Sequence, residues 1–388
     1  MQKKLTEKTK ASVDSVIIGG GIAGVWLLRL LSQNGYNAIL LEQDALGSGQ
    51  TLASQGMIHG GLKYALSGLL SKESEAIADM PRRWKQCLYS KNGEIDLRKV
   101  TLLSQDYYIF SEGQIGELAS FFASKALRGR IQKITGSERP ICFEGFNGTV
   151  YQLNDLVLNT DSLLSELIQG LEDRIFKLRC SKENIKKTDQ GYEVLLSDTQ
   201  IKSKVIINCS GNGTKALLDD LKINHFKIQN RPLKQIILDA PNQLSMYAHC
   251  ITNLSSTEPR LTITTHNSGS KKIWYVGGQL ATQGAHLTDD KLLASAKKEF
   301  SQYLGWLKPT SNAWQTLTID RVEPLTPNLV KPDEAFAERK ENFIQCFPTK
   351  LTLAPDLGDK VLKILDPPEH DQSLISTHDR ASIGNPPW

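Results

Sequence analysis

Val16-Ile17-Ile18-Gly19-Gly20-Gly21-Ile22-Ala23-Gly24, continued by the apolar run to Gln33 and by Asn37-Ala38-Ile39-Leu40-Leu41-Glu42, is the stretch that decides the fold. Residues 14–18 form a short apolar strand ending in Val16-Ile17-Ile18, the pattern of a strand buried on both faces. Residues 21–33 read as a helix, and residues 37–41 as a second buried strand. A glycine-rich turn between strand and helix, with an acid closing the next strand, is the context that gives G-x-G-x-x-G its meaning. Gly19 permits the tight turn, Gly21 has no Cβ to obstruct an approaching pyrophosphate, and Gly24 lets the helix pack close to the strand. The first-turn N–H groups at Ile22 and Ala23 offer donors and partial positive charge to phosphate. Glu42, with Gln43 after it, is placed to accept hydrogen bonds from an adenosine ribose, and its charge disfavours a 2′-phosphate. This unit binds a dinucleotide.

The rest of the chain narrows the class. At 388 residues there is room for one large domain or two interleaved ones. The net charge of +4 comes from scattered Lys and Arg, so no basic face marks a nucleic-acid partner. The six cysteines form no CxxC pair and have no histidine at ligand spacing, so no metal is expected, and a reducing compartment suits them. Residues 16–31, the most apolar stretch, are broken by glycines into strand, turn and helix, which predicts no transmembrane segment. The polar leader with Lys3, Lys4, Lys8 and Lys10 has no apolar signal core. A cytoplasmic location follows, with peripheral contact at the inner face of a membrane left open.

Periodicity places a helix at 69–89 despite Pro81, a strand at 101–110, a helix at 115–127 and another, N-capped by Asp161, reaching about 171. Strands are expected at 174–178, 192–196, 204–208, 235–238, 261–265 and 273–276, then helices at about 289–304 and 355–365. Residues 366–388, rich in Pro, Ser and Asp, read as a disordered tail, with anchoring through Pro386-Pro387-Trp388 as the alternative. The run Gly47-Ser48-Gly49-Gln50-Thr51, then Gly56-Met57 and Gly60-Gly61, is a path of small residues along which an extended ligand could lie. Val205-Ile206-Ile207-Asn208-Cys209-Ser210-Gly211 is a further buried strand whose end, at Ser210 and Gly211, could close over the same ligand.

Residues 16–42, together with Ile58-His59-Gly60-Gly61-Leu62-Lys63-Tyr64 and Lys350-Leu351-Thr352, resemble the FAD-dependent D-amino-acid-oxidase-like superfamily, nearest to its glycerol-3-phosphate dehydrogenase branch. The resemblance implies FAD as cofactor, with His59 to Gly61 beside the isoalloxazine and Lys63 and Tyr64 toward the substrate. It also implies Lys350, Leu351 and Thr352 near the flavin N1/O2 edge, where positive charge stabilises reduced flavin. Arg321, in Ile319-Asp320-Arg321-Val322-Glu323-Pro324, would fork onto an anionic substrate group. Lys63 stands where the branch has Arg, Leu52 to Met57 replace its serine-rich stretch, and its C-terminal domain has no counterpart, so glycerol 3-phosphate is not implied as the substrate. One of His225, His249 and His266 could reach the site.

The expected fold is therefore α/β: a discontinuous Rossmann-type FAD-binding domain (12–95, 148–215, 318–365) interleaved with a substrate domain on a mixed or antiparallel sheet (96–147, 216–317), with tails at 1–11 and 366–388. The expected function is FAD-dependent oxidation of a small anionic alcohol or amine (a hydroxy acid, amino acid or phosphorylated polyol) by hydride transfer to flavin N5. The electron acceptor would be O2, a quinone or a carrier protein. A non-catalytic NAD-binding sensor and a tRNA-modifying flavoprotein are the alternatives.

Overall fold

The strand Thr9–Ile18 lies between two parallel neighbours, Ala38–Glu42 on one side and Thr199–Asn208 on the other, with Ile18 opposite both Leu41 and Asn208. Both of its faces are covered, and Val16 and Ile17 are fully buried. That is why the end of the strand, Val16-Ile17-Ile18, is a continuous apolar run rather than an alternating one. The computed structural model describes residues 9–61, 72–112, 131–197, 199–252, 256, 258–307, 313–327, 332, 334–369 and 379–388. In the first sheet Ile175–Lys177 extends the parallel ladder beyond Ala38–Glu42. Phe343–Phe347 runs parallel to the end of Thr199–Asn208, and Gly191–Leu196 pairs antiparallel with its beginning. Helix Ile22–Gln33 packs on one face together with Thr160–Ile168 and Ala354–Ile364 around Trp26, Leu27 and Leu163.

The second sheet has eight strands, in the order Trp314–Ile319, Leu233–Asp239, Lys271–Gly277, Leu261–Ser268, Ala248–Cys250, Tyr107–Ser111, Thr149–Leu153 and Ile131–Ile134. All its pairings are antiparallel except that of Ala248–Cys250 with Tyr107–Ser111. Alternation puts Ile236, Leu238, Trp274 and Val276 on one face, against Leu292, Ala296 and Phe300 of helix Asp289–Tyr303. The other face turns toward the first sheet. The expected α/β architecture, a Rossmann-type sheet beside a mixed one, is what these pairings describe.

Several local expectations change. The helix after residue 158 begins at Thr160 and is capped by Asn159, whose Oδ1 accepts from Ser162 N–H at 2.7 Å, so Asp161 sits inside the first turn. Residues 101–110 divide into Leu102–Ser104 and Tyr107–Ser111, because the Ser104 hydroxyl bonds across the bend at Asp106. Leu102–Ser104 and Met57–Ile58 both pair with Leu156–Leu158 in a small separate sheet. Thr149–Leu153, within a segment assigned to the FAD domain, pairs in the second sheet. The helix expected at 115–127 lies outside the described residues.

The described part of the tail is anchored rather than loose. Leu46 N–H donates to Ser382 O at 2.8 Å, Gly384 N–H donates back to Leu46 O at 2.9 Å, and Trp388 packs, tilted, against His266 at 4.2 Å and Tyr275 at 5.2 Å. Among the described residues no helix is long and apolar enough to cross a membrane.

Candidate cofactor and substrate cleft

One cleft of about 550 Å³ runs from the glycine turn of the first sheet to the inner face of the second. At its first end the chain is arranged to bring backbone close. Gly19 has φ +105°, and a Cβ there would lie 2.6 Å from the Cys209 carbonyl oxygen, so only glycine lets the ends of the two strands meet. A Cβ on Gly24 would fall 2.0 Å from Gly19 O, which fixes the close seat of the helix. A Cβ on Gly21 would meet only Thr51 Oγ1, at 3.4 Å. The Thr51 hydroxyl accepts the Ile22 N–H at 2.9 Å and so ties the loop to the helix start. Glu42 binds backbone with both oxygens: Oε2 accepts Gly20 N–H at 2.6 Å and Oε1 accepts Asp44 N–H at 2.8 Å. The opposite lip is Ser210 and Gly211, where Ser210 Oγ donates to Asn208 Oδ1 at 2.6 Å.

In the middle, segments almost three hundred positions apart are locked together. Thr352 is fully buried, and its hydroxyl accepts His59 N–H at 2.9 Å and donates to Met57 O at 3.3 Å. The Thr352 carbonyl accepts Trp84 Nε1–H at 2.9 Å. Gly60 N–H donates to Asp155 Oδ1 at 3.1 Å, and Gly56 has φ +67° with a Cβ position 2.1 Å from Leu158 O. Lys350 lines the cleft with its Nζ donating to Pro332 O at 2.8 Å. Cys209 and Cys346 also face this stretch. Burial and the contact with Cys209 push the Cys346 thiol well above its ordinary range, which disfavours the thiolate.

At the far end the wall is built by the second sheet and the strand Val322–Pro324. Arg321 lines it, its Nε donating to Arg231 O at 3.1 Å, while Arg231 Nε pairs with the buried Glu323 at 2.8 Å. His249 is in the wall, with Nδ1 2.9 Å from Thr262 Oγ1 and its ring against Tyr107 at 4.6 Å. Gln55 reaches across from the loop, its Nε2 donating to Thr262 O at 3.0 Å and Tyr275 O at 3.1 Å.

The family model for FAD dependent oxidoreductases (DAO) matches residues 14–328. The chain belongs to that family. It is similar to the probable FAD-dependent oxidoreductase PA4991 of Pseudomonas aeruginosa, at 38% identity over 390 residues and 97% of each chain. The crystal structure of that protein superposes with a TM-score of 0.82, at 33% identity, over 98% of each chain. Glycine oxidase from Geobacillus kaustophilus (TM-score 0.62, 12% identity, 95% of this chain and 100% of that one) shares the fold. So does the FAD-bound L-alpha-glycerophosphate oxidase of Mycoplasma pneumoniae (TM-score 0.62, 14% identity, 97% and 99%).

As an FAD-dependent oxidoreductase of this family, the chain has a first end that fits the cofactor: the pyrophosphate needs the bare backbone at Gly21 and the helix start at Ile22 and Ala23, and the ribose needs an acid at the end of the second strand. Membership also decides between FAD and the NAD that residues 19–42 alone allow. Of the residues singled out in the sequence, Gly19, Gly21, Ile22, Ala23, Glu42, Gln43, Thr51, Gly56, Met57, His59, Ser210, Gly211, Arg321, Lys350 and Leu351 line the one cleft. Gly24, Gly60, Gly61 and Thr352 do not, and Thr352 braces the segments that do. Lys63 and Tyr64 lie outside the described residues. Of the three candidate histidines only His249 lines the cleft. His225 packs on Phe226 at 4.3 Å, and His266 lies under Trp388. Sequence reading missed Gln55, Asp155, Gln235 and Thr262, which no motif carries and which only the tertiary fold brings together.

Proposed function

We propose that this flavoenzyme oxidises a small anionic alcohol or amine held between the flavin and the second sheet. The observation that carries the reading is the continuity of the cleft: the dinucleotide turn at Gly19 and the arginine at Arg321 open into one space. FAD, when bound there, accepts two electrons as a hydride at N5. The chain supplies the rest. Arg321, held through Nε on a backbone carbonyl, presents a fixed guanidinium to a carboxylate or phosphate. Lys350, oriented by the Pro332 carbonyl, would supply the positive charge that stabilises reduced flavin. For an alcohol, the hydroxyl proton passes to His249 as the C–H bond breaks. A neutral amine needs no such acceptor. The electron acceptor would be O2, a quinone or a carrier protein.

The test is an anaerobic screen of 2-hydroxy acids, amino acids and phosphorylated polyols against the flavin-loaded protein, reading bleaching. Failure of every class to bleach the flavin would sink the reading. With a substrate in hand, Arg321→Lys should raise KM about tenfold or more while FAD stays bound, because the fork is lost. Lys350→Met should slow flavin reduction, again with FAD retained.

A further inference from the structure

Strand register aligns a row of residues across the cleft wall. His249 pairs with Thr262 and Thr262 with Gly277, and the ladder that joins Ile236 to Val276 brings Gln235 next to Gly277. Residues opposite one another on a ladder share a face, and all four line the cleft. Gly277 leaves a gap in the row, and Gln55 enters it: a Cβ at 277 would lie 3.1 Å from Gln55 Oε1 and 3.8 Å from Gln235 Cδ. Gln55 is occupied with bonds to backbone carbonyls of two strands. Gln235 differs. It is only 7% exposed, and its Oε1 is buried with no hydrogen-bond partner among the described residues. Buried side-chain oxygens are seldom left so in a folded protein, and one that faces a ligand cleft has an evident partner in the ligand.

We propose that Gln235 reads the substrate, its side-chain carbonyl accepting a hydrogen bond from an N–H or O–H group. This rests on the cleft taking a small anionic alcohol or amine, and it assigns a residue to the donor such a substrate already carries, making that N–H or O–H a requirement for tight binding. The wall then discriminates in two ways. Arg321 selects the anion, and Gln235 rejects an analogue that fills the space without donating, because its oxygen would stay buried and unpaired. An ammonium or amine and a hydroxyl group both meet this requirement.

The experiment titrates flavin-loaded wild type, Gln235→Leu and Gln235→Glu with N-methylglycine, lactate and glycerol 3-phosphate, which bear a donor. Acetate and N,N,N-trimethylglycine, which carry a carboxylate but no donor, are the controls. The readout is the change in flavin absorption, which needs no turnover. In Gln235→Leu the donor-bearing ligand that binds wild type most tightly should weaken about tenfold, and the donorless ligands less than about twofold. Gln235→Glu keeps an oxygen in place and should restore the donor-bearing ligand, more fully for an amine than for an alcohol. Equal weakening of both groups in Gln235→Leu, no weakening, or no rescue by Gln235→Glu would each overturn the assignment. If none of the five perturbs the wild-type flavin, the small-anion reading itself falls, and the role of Gln235 with it.

Discussion

At the dinucleotide end of the cleft the wall is backbone: Gly19 in a left-handed turn, Gly21 with no side chain to interpose, and the first N–H groups of a helix. At the substrate end it is a row of side chains, Gln235, Thr262 and His249, contributed by separate strands and keyed by Gln55 at the gap of Gly277. The first construction recognises what every dinucleotide shares, a pyrophosphate and a ribose. The second can vary residue by residue without disturbing the strands that carry it. One family can thus keep its cofactor and change its substrate.

The sharpest way to break the backbone end is Gly19→Ala. The left-handed φ and the 2.6 Å approach to the Cys209 carbonyl both oppose a side chain, so the strand ends must part. We expect a loss of roughly 3 kcal/mol or more in stability and protein that purifies with little flavin, measured by denaturation and by flavin released on unfolding. A flavin-replete, equally stable variant would show that the turn does not depend on glycine. Next in size is the brace between the ends. Thr352→Val removes a buried hydroxyl that holds both His59 N–H and Met57 O, and should cost about 1–3 kcal/mol. Because those residues line the cleft, a weakened grip on FAD should accompany the lower melting temperature. A normal flavin content at lowered stability would make Thr352 a purely structural residue.

The same contrast explains what the sequence could tell. Residues 19–42 are legible because the turn, helix and acid are neighbours in the chain, and their physics is local. Segment-scale features such as Lys350-Leu351-Thr352 could be placed only by resemblance, which gives no sign that the Thr352 hydroxyl is spent on His59 and Met57. Asp161 drew the cap assignment away from Asn159, since either acceptor satisfies the cap pattern and only the extended backbone at Asn159 (φ −74°, ψ 113°) decides between them. The row from Gln235 to His249 depends on strand order and register, which no periodicity encodes. Of the two candidate histidines in strands, His249 and His266, one lines the cleft for that reason.

A smaller effect tests whether the substrate wall is as separable as the comparison implies. Gln55→Leu removes the amide bonds from the cofactor loop to Thr262 O and Tyr275 O. It should cost about 1–2 kcal/mol, retain FAD, and weaken substrate binding more than it slows flavin reduction, read as KM against the anaerobic reduction rate. Loss of flavin instead would mean that the two ends are one cooperative unit.

The smallest expected effect lies beside the cleft, where the tail closes the same face of the second sheet. His266 sits among Thr264, Tyr275 and Trp388, its Nε2 3.0 Å from Thr264 Oγ1, and burial pushes its pKa down to about 3. The unfolded chain takes up a proton near the ordinary value of about 6.5, and the folded ring does not. The stability tied to keeping this ring neutral is therefore fully present above about pH 6.5 and is lost as pH falls from there toward about 3. His266→Gln removes that titration and should lose less stability than wild type between about pH 7.5 and about pH 5, read from denaturant midpoints. Trp388→Ala should flatten the same slope by admitting water to the ring, and should cost about 1 kcal/mol at neutral pH through the lost ring packing. An unchanged acid slope in both variants would mean that other groups set it and that the tail covers this face without shielding His266. FAD content should stay normal in both, since His266 lies outside the cleft lining. A loss of flavin with Trp388→Ala would instead tie the strap at Leu46 and Ile383 to the cofactor loop it crosses.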